Sequence, residues 1–360
     1  MKKPVKKVLI LSSTVLILLI LIGGWWFFQQ MSQPLYTPGT LKDSAISVPP
    51  QQGDTSFWNM PGGIRLFHFA EGQGTNILTL HGGPGIPWEK PVPGLSVLTD
   101  QYRVHYYDQR GCGRSTRPFD RFASSNYYQN MKTLEATLGI KAQLEDIERI
   151  RQLLGEEKLI LIGHSFGGFI AALYAAEYPE KVKALILVAP ADLLKMPSEN
   201  GDLFETVRKD LPAAMQAEFD QWQKDYFDFS GIFKKSESDL QGLNRQFSTY
   251  YGAAVKTRGL TMPEMSAPPE FVGGWGTHAM YFSMGQKHDY RAYMSAVKAP
   301  VLTIHGTNDL QPEASDKAFA ATFSNVTYKT INGTGHFPFY EKPAEFAEII
   351  RRFLAEKTVK

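Results

Sequence analysis

The chain opens with an apolar run over residues 8–28, interrupted only by Ser12, Ser13 and Thr14, and this reaches the roughly 20 residues a helix needs to cross a bilayer. Residues 29–52 are rich in Gln, Pro, Ser and Thr with little apolar periodicity, so they read as a tether. Segments 56–60 and 63–69 read as a strand pair turning at Pro61-Gly62. An alternation then begins. Apolar runs at 76–80, 102–107, 158–163, 184–189, 300–305 and 326–331 have the length and composition of buried strands. Between them, Leu144, Ile147, Ile150 and Leu154 recur at helical spacing up to Gly155. Residues 167–177 form a second helix, closed by Tyr178-Pro179, and 343–355 a terminal amphipathic one. Strands interleaved with helices predict an α/β fold, with a mostly parallel sheet covered by helices on both faces. Residues 190–298 break the rhythm, being rich in Met, Phe, Tyr and Trp with helical tendency, and read as an inserted, largely helical cap. The expected organisation is an anchor over 1–28, a linker over 29–52, a core over 53–189 and 299–360, and a cap over 190–298.

Charge sharpens the reading of the first segment. The chain of 360 residues carries a formal net charge of +2, and Lys2, Lys3, Lys6 and Lys7 precede the apolar run. No broad basic surface remains for nucleic acid. The lysines place the N-terminus in the cytoplasm, and Trp25, Trp26, Phe27 and Phe28 suit the far interface. A cleaved signal peptide would have an apolar region of about 7–15 residues and a small-residue cleavage site. Neither is present. The expectation is a single-pass membrane protein whose folded part lies outside the cytoplasm. The single cysteine, Cys112, cannot form an intrachain disulfide.

Gly163-His164-Ser165-Phe166-Gly167 lies between an apolar strand and a helix, the context that makes a G-x-S-x-G motif a nucleophile elbow. A serine hydroxyl is a weak nucleophile, so a base must take its proton and a carboxylate must orient that base. Asp309 follows one later strand and His336 the next, in the order such a site requires. Asp192, just beyond the strand at 184–189, is the alternative acid. Among eight histidines, His336 is the only one placed as the base; His81 and His305 sit at strand ends beside glycines and read as loop-shaping, and the side chain of His164, adjacent to Ser165, is expected to point elsewhere. The oxyanion of an acyl transfer needs two main-chain donors. The N–H of Phe166 supplies one; Gly83, with Gly82 close behind, supplies the other from the loop after residue 80. The histidines are scattered, which argues against a metal site, and no nucleotide loop suggests a cofactor.

These motifs resemble the proline iminopeptidases (prolyl aminopeptidases), a family of the α/β hydrolases. His81-Gly82-Gly83-Pro84-Gly85 is similar to that family's oxyanion loop, and residues 108–115, Asp-Gln-Arg-Gly-Cys-Gly-Arg-Ser, to its second signature. The segment from Glu145 to Gly155 resembles the helix before its nucleophile strand, and the likeness runs from about residue 53 to 356. The resemblance implies the α/β-hydrolase fold, an oxyanion hole of Gly83 and Phe166, and a buried, non-nucleophilic Cys112. It also implies a serine hydrolase removing N-terminal residues from short peptides. Two departures keep a carboxylesterase open beside it. His164 and Phe166 stand where the family usually has Gly and Trp, a form shared with many esterases. The segment His278-Ala279-Met280-Tyr281-Phe282 lacks the glutamate with which the family holds the substrate's amine. A third alternative is a non-catalytic binding protein on the same fold.

Overall fold

The computed structural model describes residues 33–41, 46–262 and 268–358. The anchor expected over residues 1–28 lies outside them. No helix among the described residues is long and apolar enough to cross a membrane.

Ten strands are described: β1 (Phe57–Asn59), β2 (Arg65–Gly72), β3 (Thr75–Leu80), β4 (Tyr102–Tyr107), β5 (Leu159–His164), β6 (Val182–Val188), β7 (Lys195–Met196), β8 (His288–Asp289), β9 (Val301–Gly306) and β10 (Val326–Ile331). Eight of them form one sheet in the order β1-β2-β4-β3-β5-β6-β9-β10. The six strands from β4 to β10 run parallel, and β1 and β2 add an antiparallel edge. β7 and β8 pair separately. Every residue of β5 is buried, as expected for a central strand covered on both faces. The pleat sends alternate residues to two cores. Leu78, Leu161 and Leu185 pack on one face with Ile147 and Leu173, whereas Ile77, Ile160 and Ile186 pack on the other with Phe346 and Ile350. Chain order reverses around β3, whose neighbours are β4 and β5, and the crevice at such a reversal is where open α/β sheets bind ligands.

The helices include α1 (Tyr127–Leu138), α2 (Ile140–Leu153), α3 (Phe166–Glu177), α4 (Leu203–Asp210), α5 (Ala213–Tyr226), α6 (Glu237–Thr257), α7 (Trp275–Met284), α8 (Glu313–Ala320) and α9 (Pro343–Thr358). The periodicity located α2, α3 and α9. It missed α1, whose start is marked by Asn126 accepting the Gln129 N–H at 3.0 Å. It also missed α8, which follows Pro312. Helices α4 to α7 fall within residues 190–298; α6 is fixed by a capping box between Ser236 and Asp239, and the ring of Trp275 on α7 stacks on Phe233.

The tether reading of residues 29–52 fails in its middle. Tyr36 and Leu41 are buried in the core, and the buried Glu177 accepts from the Tyr36 hydroxyl at 2.7 Å, Gly39 N at 2.7 Å and Leu41 N at 3.1 Å. Leu35 N and Tyr36 N also donate to the Ser283 carbonyl. A segment poor in apolar periodicity can still be pinned by a few anchors, which the pattern of its other residues conceals. Glu177→Ala strips three donors of their acceptor and should cost about 1–3 kcal/mol in urea unfolding. Hydrogen exchange at the Gly39 and Leu41 amides should accelerate. Unchanged protection there would mean that the strap is held by other contacts.

Candidate active site

Ser165 stands between the end of β5 and the start of α3, with φ 52° and ψ −120°. A non-glycine residue in such a conformation stores about 1–3 kcal/mol of strain, and here the surroundings hold it. Ser165 N–H donates to the Val188 carbonyl at 2.9 Å, and its own carbonyl accepts from Gly168 N and Ala191 N. The flanking glycines are obligatory for reasons of space. A Cβ on Gly163 would lie 2.4 Å from the Gly167 carbonyl oxygen, and one on Gly167 would lie 2.2 Å from that of Leu80. β3, β5 and α3 approach too closely here for any side chain.

The loops after β9 and β10 bring Asp309 and His336 together. A Cβ on Gly306 would sit 2.1 Å from the Gly335 carbonyl oxygen, and Asn308 N–H donates to the Thr334 carbonyl, so the loops run against one another. His336 Nδ1 lies 2.7 Å from Asp309 Oδ2, and Gln311 N–H donates to Asp309 Oδ1 at 2.9 Å. A neutral imidazole that donates from Nδ1 leaves Nε2 as an acceptor. Burial alone would disfavour the imidazolium. The charge and hydrogen bond of Asp309, with Asp316 and Glu341 further off, outweigh it and raise the His336 pKa above its ordinary value. Glu341 steadies the loop by accepting from Gly335 N and Phe337 N. Asp192, the alternative acid, accepts instead from the Ser198 hydroxyl at 2.8 Å.

Gly83 has φ +116°, a conformation that favours glycine, and a Cβ on Gly82 would lie 2.8 Å from the Ser165 Cβ. The loop therefore presses on the elbow. Phe166 is the first residue of α3, where helix N–H groups lack intrahelical acceptors. Ser165, Gly83 and His336 line one chamber of about 90 Å³.

Residues 75–343 match the sequence profile of the alpha/beta hydrolase fold. The chain belongs to this α/β-hydrolase family. It is 27% identical over 288 residues to a proline iminopeptidase of Lactobacillus delbrueckii subsp. bulgaricus, a match covering 77% of this chain and 89% of that one. Among solved structures, a thermophilic esterase from Thermogutta terrifontis superposes with a TM-score of 0.53 and 22% identity, over 86% of this chain and 100% of that one. A proline iminopeptidase from Mycobacterium smegmatis gives 0.52 and 20%, over 82% and 96%. The hydrolase class and the likeness to proline iminopeptidases follow from the sequence matches, and the structural matches agree in fold.

Two features of this α/β hydrolase bear on the reading of its histidines, one correcting it and the other extending the loop-shaping role expected of His81. The first corrects the reading of His164. Its ring does not turn away: it lines the same chamber and its Nε2 lies 2.9 Å from the His336 carbonyl oxygen, to which it donates. Burial, then the neighbouring His336, pushes its pKa well below the usual value, so it stays neutral. His164→Ala should lower kcat/KM about tenfold by leaving that carbonyl unpaired. His164→Asn, which can still donate, should recover most of the loss; equal losses in both would deny the positioning role.

The second feature is the support beneath the Gly82-Gly83 loop. His81 is fully buried; its Nδ1 lies 3.0 Å from the Gly82 carbonyl oxygen and its Nε2 accepts from Gln109 N–H at 3.1 Å. Gln109 Nε2 returns a bond to the His81 carbonyl. Burial lowers the His81 pKa to about 4, so it acts as a neutral tie between the two glycine-rich loops. Arg110 anchors the second loop through a two-pronged buried pair with Asp146, at 2.5 Å on each arm. Cys112 is buried beside them, and burial raises its thiol pKa well above the ordinary range.

A larger cavity, of about 850 Å³, also reaches Ser165, Phe166 and Gly83. His336 is among the residues lining the small chamber, while the large cavity opens on the Phe166 side.

Proposed function

We propose that this hydrolase cleaves carboxylic esters through an acyl-enzyme on Ser165. His336 Nε2 takes the Ser165 proton as Oγ attacks the carbonyl carbon, and the N–H groups of Gly83 and Phe166 hold the oxyanion. Asp309 stabilises the imidazolium, which then protonates the leaving alcohol; water, deprotonated by the same histidine, releases the acid. The observation supporting this most is the buried Asp309–His336 pair facing the chamber it shares with Ser165.

The ester reading is favoured over an N-terminal peptidase by the position of acidic groups. A peptide's free amine belongs to the acyl half, which lies away from the histidine that protonates the leaving group. The carboxylates on that side are Asp192, bonded to Ser198 and pushed up in pKa by burial, and Asp202, whose side chain caps α4. Glu89 lines the chamber on the His336 side. An unpartnered ammonium in an apolar pocket would bind poorly. The aminopeptidase reading is supported by the 27% likeness to the Lactobacillus enzyme. Fluorophosphonate labelling, with Ser165→Ala as background, tests the nucleophile. Comparing an acyl ester, a proline arylamide and its amine-blocked analogue then divides the two readings. Exclusive turnover of the free-amine arylamide would reject the esterase.

The same proposal includes an anchor over residues 1–28, a cytoplasmic N-terminus and a hydrolase domain beyond the membrane. Protease protection of intact cells should expose the domain only from the outer side of that membrane.

A further inference from the structure

The cavity of about 850 Å³ lies toward the upper end of the roughly 300–1,000 Å³ typical of small-molecule sites, and it starts at the nucleophile. Its walls are mainly apolar and aromatic, including Phe204, Phe227, Tyr281 and Phe282. It extends to Gln33, Pro34 and Leu35, and Leu35 and Tyr128 on its lining are 42% and 55% exposed. These are two of the four exposed large hydrophobic side chains among the described residues.

The two spaces beside Ser165 divide the substrate. The leaving group must depart where His336 can protonate it, which is the small chamber. The carbonyl substituent that stays on Ser165 then points into the large cavity. We infer that this cavity is an acyl-chain site, and that the substrates are esters of medium- to long-chain fatty acids. The inference rests on the acyl-enzyme reading above and adds the identity of the acyl group. Polar side chains such as Asp192, Asp202, Gln223 and Asn244 also line the cavity, but most of its surface is apolar, and each methylene of a linear chain withdrawn from water there should strengthen binding about fourfold. The outer end adjoins Gln33, a few residues after the apolar run 8–28, so a bilayer is one source of such esters and a soluble ester is the other.

The test uses the full chain in detergent micelles with p-nitrophenyl esters from acetate to palmitate. The expected kcat/KM rises at least a hundredfold between acetate and the optimum, which falls at eight carbons or more. Met131, on α1, lines the cavity away from the elbow. Met131→Trp should reduce the decanoate-to-acetate ratio of kcat/KM at least tenfold, and Met131→Leu should restore it. Because the readout is a ratio within one preparation, partial misfolding does not mimic it. A flat or falling chain-length profile overturns the acyl site, while fluorophosphonate labelling of Ser165 in the same sample would leave the hydrolase mechanism standing. Loss of labelling would overturn both. Decanoyl esters embedded in neutral phospholipid vesicles, set against monomeric ester, distinguish the two sources; turnover of either supports the acyl class.

Discussion

Ser165→Ala and Ser165→Gly should both lose hydrolysis by about 10⁶-fold, yet differ in stability, with the glycine variant the more stable by about 1 kcal/mol. The activity loss follows from the role proposed for Ser165, a nucleophile whose partners act as a unit. The stability difference follows from the backbone. At φ 52° and ψ −120° a Cβ carries about 1–3 kcal/mol of strain, and both variants lose the hydroxyl, so comparing them isolates the Cβ. Glycine's extra freedom in the unfolded chain returns about 0.5–1 kcal/mol of that gain. Urea unfolding measures the difference, and turnover with covalent labelling measures the rest. A Ser165→Ala protein as stable as Ser165→Gly would mean that the elbow holds no more strain than glycine's freedom offsets, about 0.5–1 kcal/mol. Retained turnover in either would remove Ser165 from the mechanism.

Much of this architecture was legible because its determinants are local. β5 reads as a strand from a continuous apolar run, and the elbow is marked by glycines that the contacts around Gly163 and Gly167 require. The distance between Asp309 and His336 was not legible, only their order; their meeting depends on β9 and β10 pairing in register and on Gly306 admitting the neighbouring loop. What escaped reading depends on tertiary partners. Helix α1 buries Asn130, Met131, Leu134 and Leu138, a stripe interrupted by a polar residue, and only the Asn126 cap signalled its start. Tyr36 and Leu41 look like isolated apolar residues in a polar segment until Glu177, far along the chain, collects them. His164 was misread because adjacency to Ser165 says nothing about which carbonyl its own ring can reach. The large cavity is an absence of atoms between α1, the strap and the cap, and no sequence pattern encodes a space.

Asp309→Asn should lower kcat by about 10³–10⁴-fold and move the acid limb of the pH–rate profile downward. In the proposed mechanism His336 must be neutral to accept the serine proton, and its raised pKa places loss of activity above the ordinary histidine value of about 6.5. Removing the carboxylate leaves burial as the main influence, which favours neutral imidazole and lowers the pKa. The variant should therefore keep its small residual rate to lower pH. Stability follows the same linkage with a definite sign. A histidine whose folded pKa exceeds its unfolded one contributes stability that is complete below the unfolded value and disappears as pH rises through the folded value. As pH rises from below the ordinary histidine value through the raised folded value, the gap in unfolding free energy between wild type and Asp309→Asn should narrow. An acid limb unmoved by the substitution would show that Asp309 does not govern His336. A gap that widens with pH would show that the pair is not held together by charge on the imidazole, and the base would then have to be supported by Glu341 and the His164 bond to its carbonyl instead.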